Sequence, residues 1–365
     1  MSENRVYPLK RPQNHQPPVP RWQLAFENGV DHVFTAYIGI QQRSRSKGAS
    51  EAKAQAEEFI IAWLGEEVSD RPTASESFSM IDGNDVRGAR VWVCYWLNEA
   101  KFHEGLKRLS LGQLFAKLPS PGRESIGVWQ ERFSSQVSRL ETNYSGLDYL
   151  PGLAKLPGTG TAEHTLTAYW GAARDRIPDS AHDLFPQDHV TQLKAVPQGV
   201  GQHLVGSNYD NIVHIRSGQF WENCGGVETN SYEEKLEPTL QAGLEYLWDN
   251  PVDGGAVGLR YLRNTDPLSP GSDSARKETC AAGFFTSLGA LEGWAKSHRS
   301  HLAIFKGALA HAKVFGDDRK FRTWHEVSVL RRGDVRFEYI NCASETGVMR
   351  FIPLEEQTEG AFQKL

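Results

Sequence analysis

His32-Val-Phe-Thr-Ala-Tyr-Ile-Gly39 and His164-Thr-Leu-Thr-Ala-Tyr-Trp-Gly171 share five of eight residues at an offset of 132. Both are rich in β-branched and aromatic side chains and read as strands. A recurrence of this kind suggests a chain built from two similar halves. A second pair of segments supports that reading. Val91–Leu106 and Thr279–Ala295 each run as a strand, an aromatic pair and then a helix.

Outward from the first copy, residues 48–64 read as a helix ending near Gly65. Residues 76–83 and 88–98 read as a hairpin turning at Gly83-Asn84-Asp85. Glu99–Leu118 is helical in character, and 124–132 is a further strand. A Gly- and Pro-dense loop before His164 marks the division of the chain. Beyond the second copy come strands near 203–216, 256–264, 278–286, 321–330 and 336–342. Helices are expected near 231–249, 287–297 and 300–315. Many strands are joined by short turns, which favours α+β with antiparallel sheets over a doubly wound parallel fold. The expected architecture is two tandem ferredoxin-like halves, their sheets face to face and their helices outside. Residues 1–30, with five prolines in the first 20, form an N-terminal arm. The halves are then 31–158 and 159–365.

Composition narrows the function. The 365 residues include 40 basic and 45 acidic side chains, a formal charge of −5. That balance argues against a general nucleic-acid or anionic-membrane binder. No run of about 18 apolar residues is present, so no membrane span is expected. The first 20 residues carry no apolar signal core. Cys94, Cys224, Cys280 and Cys342 form no C-x-x-C pair. Free thiols in a reducing cytoplasm are the expectation, and the sequon at Asn143 reads as a chance match.

Candidate chemistry is dispersed. Gly158-Thr-Gly160 lacks the third glycine of a dinucleotide fingerprint. His298 and His301 are three apart and share a face at a helix start. With a distant third histidine they can hold zinc or haem iron; equally, His298 can be a helix cap and His301 a partly exposed helix residue. His325 lies in an alternating stretch, so it faces one side of a sheet and Glu326 the other. The segments around Glu141, Arg174–Arg176 and Arg216–Ser217 place polar groups beside strand ends, as proton donors, oxygen-binding groups or self-bonded turns.

Five of these stretches, in order, resemble the aldoxime dehydratases, also called phenylacetaldoxime dehydratases. They are Arg139-Leu-Glu-Thr-Asn-Tyr-Ser-Gly-Leu-Asp-Tyr-Leu-Pro-Gly152, Tyr169-Trp-Gly-Ala-Ala-Arg-Asp-Arg176, Arg216-Ser-Gly-Gln-Phe-Trp221, Ser297-His-Arg-Ser-His301 and Trp324-His-Glu-Val-Ser-Val329. The resemblance implies haem b, conversion of R–CH=N–OH to a nitrile and water, ferrous iron with the substrate nitrogen bound to it, and a homodimer of the dimeric α+β barrel type. It implies His301 as proximal iron ligand, with His298 as the alternative because Arg299 stands where the family has Pro. It implies His325 as the distal proton carrier, Ser217 and Arg176 as hydrogen-bond partners of the aldoxime hydroxyl, and Glu141 as support for proton delivery. Gly316–Lys320 reads as an insertion between the two histidines. The alternatives are a peroxidase-like haem oxidoreductase on the same fold and a non-catalytic haem binder.

Overall fold

The computed structural model describes residues 5–27, 29–188, 199–267 and 276–357; the remainder of the expected arm and of the second half lies outside them. Fourteen strands form one sheet among the described residues. They are β1 Trp22–Phe26, β2 His32–Gln42, β3 Ala74–Gly83, β4 Arg90–Trp96, β5 Ile126–Gln136, β6 Leu140–Tyr144, β7 Thr159–Glu163, β8 His203–Ser207, β9 Ile212–Phe220, β10 Ala256–Asn264, β11 Glu278–Phe285, β12 Arg322–Leu330, β13 Val335–Ile340 and β14 Glu355–Glu356. Their order is β14-β8-β13-β5-β2-β4-β3-β10-β11-β9-β12-β6-β1-β7, and the pairs are antiparallel.

Two units with the same strand plan lie within that order. In the first, β2 is flanked by β5 and β4, with β3 beyond β4. In the second, β9 is flanked by β12 and β11, with β10 beyond β11. Helices α1 Lys47–Gly65, α2 Glu99–Leu109 and α3 Leu111–Lys117 connect the first unit, and α4 Ala172–Asp175 lies between the units. In the second unit, α5 Gly226–Ser231 runs through one π turn into α6 Glu237–Asp249 and then α7 Pro251–Gly254, ahead of α8 Leu288–Ser297 and α9 Arg299–Phe315. The sheet folds over so that its halves share one core. Tyr37, Phe78, Trp129 and Phe133 of the first unit join Cys280, Phe284, Trp324 and Phe337 in a single cluster. The outer face of each unit carries its own helices. Strand β2 therefore buries both faces, which is why it reads as a near-continuous apolar run.

Two expectations are corrected. His164–Gly171 is not a strand. Ala168 has φ +63° and Gly171 φ +98°, and His164 Nδ1 accepts the Leu166 N–H at 3.1 Å, a local bond that competes with a ladder. The counterpart of β2 is β9. Gly39 faces Trp129 across β2 and β5, as Gly218 faces Trp324 across β9 and β12, and a Cβ on either glycine would run into the indole. The other pair of segments does coincide in the structure: Tyr95-Trp96 and Phe284-Phe285 end β4 and β11, and Asn98 and Ser287 cap the helices that follow. Secondly, the helix at Glu99–Leu118 breaks at Ser110, whose φ of +39° ends α2 while its hydroxyl accepts from Gln113 to start α3. Within the expected arm, residues 22–26 form β1, and Asp175 accepts from the Lys10 and Arg11 N–H groups at 2.9 Å.

The shared core is charged. Arg216 Nη1 lies 2.7 Å from Glu76 Oε2, and Lys155 Nζ 2.9 Å from Glu76 Oε1. Glu326 accepts from the Leu153 N–H at 2.7 Å and from Tyr95 at 3.3 Å. Burial, only partly offset by Arg216, raises the Glu326 carboxyl to about 7. An unfolded Glu titrates near ~4.3. Between those values the folded chain holds a proton that the unfolded chain has lost, so this group makes stability fall as pH rises through that window. Glu326→Gln removes the term. Its urea midpoint should gain on the wild type between pH 5 and pH 8, by an amount worth up to about 3 kcal/mol; an unchanged difference at the two pH values would refute the raised carboxyl.

Candidate active site

Strands β6, β12 and β9 lie side by side, and their register builds a polar row. Asn143 on β6 and Ser217 on β9 stand directly opposite His325 on β12. Alternation along β12 turns His325 out to a cavity and Glu326 into the core, as the sequence pattern predicts. One pleat away on β6 is Glu141, opposite Val327. Arg176, just after α4, donates through Nε at 2.7 Å and through Nη2 to Glu141 Oε1, and through Nη1 to the Leu166 carbonyl. His325 Nε2 is 3.1 Å from the same Oε1. Burial alone would raise the Glu141 carboxyl; Arg176 and His325 overcome it and hold it at about 2. Glu141 is therefore an anion at any working pH, and it holds charge rather than a proton.

A second set of bonds reaches the same imidazole. His164 Nδ1 accepts from the Leu166 N–H, so its Nε2 carries the proton and donates to Asn143 Oδ1 at 3.0 Å. That fixes the Asn143 amide, whose Nδ2 points at His325 Nε2 at 3.3 Å. Burial, reinforced by Arg176, lowers the His164 pKa to about 4, so His164 stays neutral and keeps this order. Arg176 Nη2 also approaches His325 Nε2, at 3.4 Å, so this nitrogen has Asn143, Arg176 and Glu141 around it. Sequence reasoning missed His164 and Asn143. The signal was the period-2 spacing of Asn143 from Glu141 on one strand.

The cavity between this row and helices α6 and α9 measures about 470 Å³, a size suited to a small ligand. Leu240, Leu244, Ile304 and Phe305 supply much of its apolar wall, and His301 enters from α9. The His301 ring packs edge-on against Trp294 at 4.7 Å. Burial, partly offset by a hydrogen bond with the Ala295 backbone, lowers its pKa and favours the neutral form that binds metals. His298 does not line the cavity. It caps α9, accepting from the Ser300 N–H at 3.3 Å, and stacks on Tyr246 at 3.7 Å. Arg176, Ser217, His325 and His301 thus line one cavity, with Glu141 buried behind Arg176 and His325. Among the described residues no cluster of three or more His, Cys, Asp or Glu is placed to hold a bare metal ion.

The comparisons agree with one another. Residues 36–348 match the model of the haem-containing dehydratases. The chain is 31% identical over 339 residues to the aliphatic aldoxime dehydratase of Pseudomonas chlororaphis, covering 93% of each. It is 28% identical over 351 residues to the phenylacetaldoxime dehydratase of Bacillus sp. (strain OxB-1), covering 95% of each. The fold superposes on a crystal structure of an aldoxime dehydratase with TM-score 0.82 and 30% identity over 96% of each chain. It superposes on an aldoxime dehydratase in complex with butyraldoxime with TM-score 0.80 and 29% identity, over 96% of this chain and 94% of that one. This chain belongs to the haem-containing dehydratase family.

Proposed function

We propose that this chain dehydrates aldoximes, R–CH=N–OH, to nitriles and water, with haem b in the cavity held by His301. The observation that carries the reading is the row Ser217–His325–Asn143, backed by the Glu141–Arg176 pair, on the wall of an apolar cavity that His301 also lines. The residues fit haem. One neutral, partly buried histidine would suffice, because the porphyrin would supply the remaining iron donors, and the apolar walls would suit its flat face. His301, rather than the capping His298, would hold it. When bound, ferrous haem supplies a site for the oxime nitrogen and electron density for the N–O bond.

The protein's part is proton handling. Hydroxide leaves poorly, so the oxime oxygen needs a proton as the N–O bond breaks. His325 gives that proton and water departs. The neutral imidazole then takes the proton lost from carbon as the C≡N bond forms, which returns His325 to its starting state. Atoms balance and no net redox change occurs. Glu141 steadies the imidazolium, and Asn143 faces the same nitrogen. Ser217, directly across from His325, hydrogen-bonds the departing oxygen, and Arg176, anchored by Glu141 and Leu166, adds positive field there.

The test is direct. The dithionite-reduced protein should shift its Soret band on adding butyraldoxime and release butyronitrile; peroxide turnover without nitrile would favour a peroxidase-like reading. Asn143→Ala removes the amide that faces His325 Nε2. Its kcat should fall with the Soret band unaltered; an unchanged kcat would show that Asn143 does not act on this nitrogen.

The strand order of the two units supports tandem ferredoxin-like halves. Their division near residue 158 is crossed by β6 and β13, each seated in the other half's row. A homodimer in the cytoplasm completes the proposal, and light scattering of the purified protein tests the assembly.

A further inference from the structure

Two guanidinium groups line the cavity without a salt bridge among the described residues. Arg21 directly precedes β1, and its side chain makes one hydrogen bond, to the Pro20 carbonyl at 3.3 Å. Arg319 follows the Gly316–Asp318 turn, and its Nε is buried without a partner. The register brings them to one end of the site. Trp22 on β1 and Trp324 on β12 both face Tyr144 on β6, so the chain leading into each strand reaches the same edge. The acids nearby are already engaged. Asp148 takes Arg322 at 2.9 Å. Glu228 takes the Lys320 and Phe321 N–H groups at 3.0 and 2.8 Å, and His311 at 3.3 Å. Burial and repulsion from Arg319, Arg176 and Arg322 lower the Arg21 pKa to about 9. Burial and Arg322 lower that of Arg319, only partly offset by Glu228. Two unpaired cations beside an apolar cavity are costly unless an anion joins them.

We propose that Arg21 and Arg319 form a carboxylate-binding site at the arm end of the cavity, filled by the two propionates of haem. The inference rests on the haem reading above. Two cations match two carboxylates, and guanidinium forks bind carboxylates in paired, charge-assisted hydrogen bonds. The stretch Gly316–Lys320 then contributes to the site rather than standing apart from it. An aldoxime bearing a terminal carboxylate has the same chemistry, so the test separates the two sources.

The haem-free protein is titrated with haem and with haem dimethyl ester, delivered from the same cosolvent and read at the Soret band. Arg319→Gln and Arg21→Gln should each weaken haem binding about tenfold or more. The ester should bind the wild type more weakly than haem, and neither variant should weaken the ester further. Equal affinity of wild type for haem and ester, or variants that weaken the ester as much as haem, would overturn the proposal. Unchanged haem affinity with a raised KM for a carboxyalkyl aldoxime would assign the arginines to substrate and remove the propionates. His301→Ala is the control. If it binds haem as the wild type does, the cavity reading fails; if it loses haem while both arginine variants keep it, only the arginine assignment fails.

Discussion

His325→Gln should keep its haem and lose about 10²–10⁴-fold in kcat, the range that a positioned acid–base group supplies. Glutamine approximates the reach of the imidazole and can hydrogen-bond Glu141 and Asn143, but it cannot exchange a proton near neutral pH. Ser217 and Arg176 remain in place, so KM should change little beside kcat. The Soret band should be unaltered, because His301 lies on helix α9 rather than on the strand that carries His325. This substitution is a cleaner probe than Glu141→Gln. That change leaves Arg176 buried without its counter-ion, and breaking a buried pair costs about 3–5 kcal/mol, so folding and chemistry would fail together. The pH profile adds a check. Glu141 is held at about 2 by Arg176 and His325 against burial. Its ionic contribution is present above the unfolded value near ~4.3 and is lost only as pH falls toward 2. An acid limb of kcat above pH 5 therefore cannot be the loss of the Glu141 charge. Retention of more than a tenth of the activity in His325→Gln would transfer the proton role to another group.

His325 is legible from pattern, because its stretch alternates and strands expose their faces at a period of two. Glu141, Arg176, Ser217 and His301 are legible only through the family resemblance, and strand register sets Ser217 beside His325. The partners of these strands were harder to read. The eight-residue likeness between His32 and His164 does not mark two equivalent strands, since positive φ at Ala168 and a side chain–backbone bond from His164 make the second copy a loop around the cavity. The correspondence that holds is sparse: Gly39 with Gly218, and Trp129-x-Glu131 with Trp324-x-Glu326. It appears only once strands are paired, because its physical basis is an indole lying over a glycine on the next strand. The same comparison shows why the candidate site lies on the second unit. Ile38 and Gln130 hold the positions that Ser217 and His325 hold in the second unit, and helices α1 to α3 pack over the first unit's outer face. The exchange of β6 into the second row brings Glu141 and Asn143 to a site whose other groups lie beyond residue 158, a long-range pairing that local pattern does not encode.

His301→Ala should yield protein with little or no haem. Losing an outer partner of a metal ligand costs about 10–100-fold in affinity, and losing the ligand itself should cost more. Folding should survive, because His301 is only partly buried and packs against Trp294 alone among the rings. Adding imidazole to the variant should restore part of the Soret band by filling the space the ring leaves. His298→Ala predicts the opposite pattern. Its ring accepts from Ser300 and stacks on Tyr246, so its loss removes a helix cap, worth about 1 kcal/mol, and leaves haem in place. The two variants thus divide the Ser297–His301 motif into a structural histidine and a ligand. Haem lost from His298→Ala and kept in His301→Ala would reverse that assignment, and with it the side of the cavity from which the iron is held.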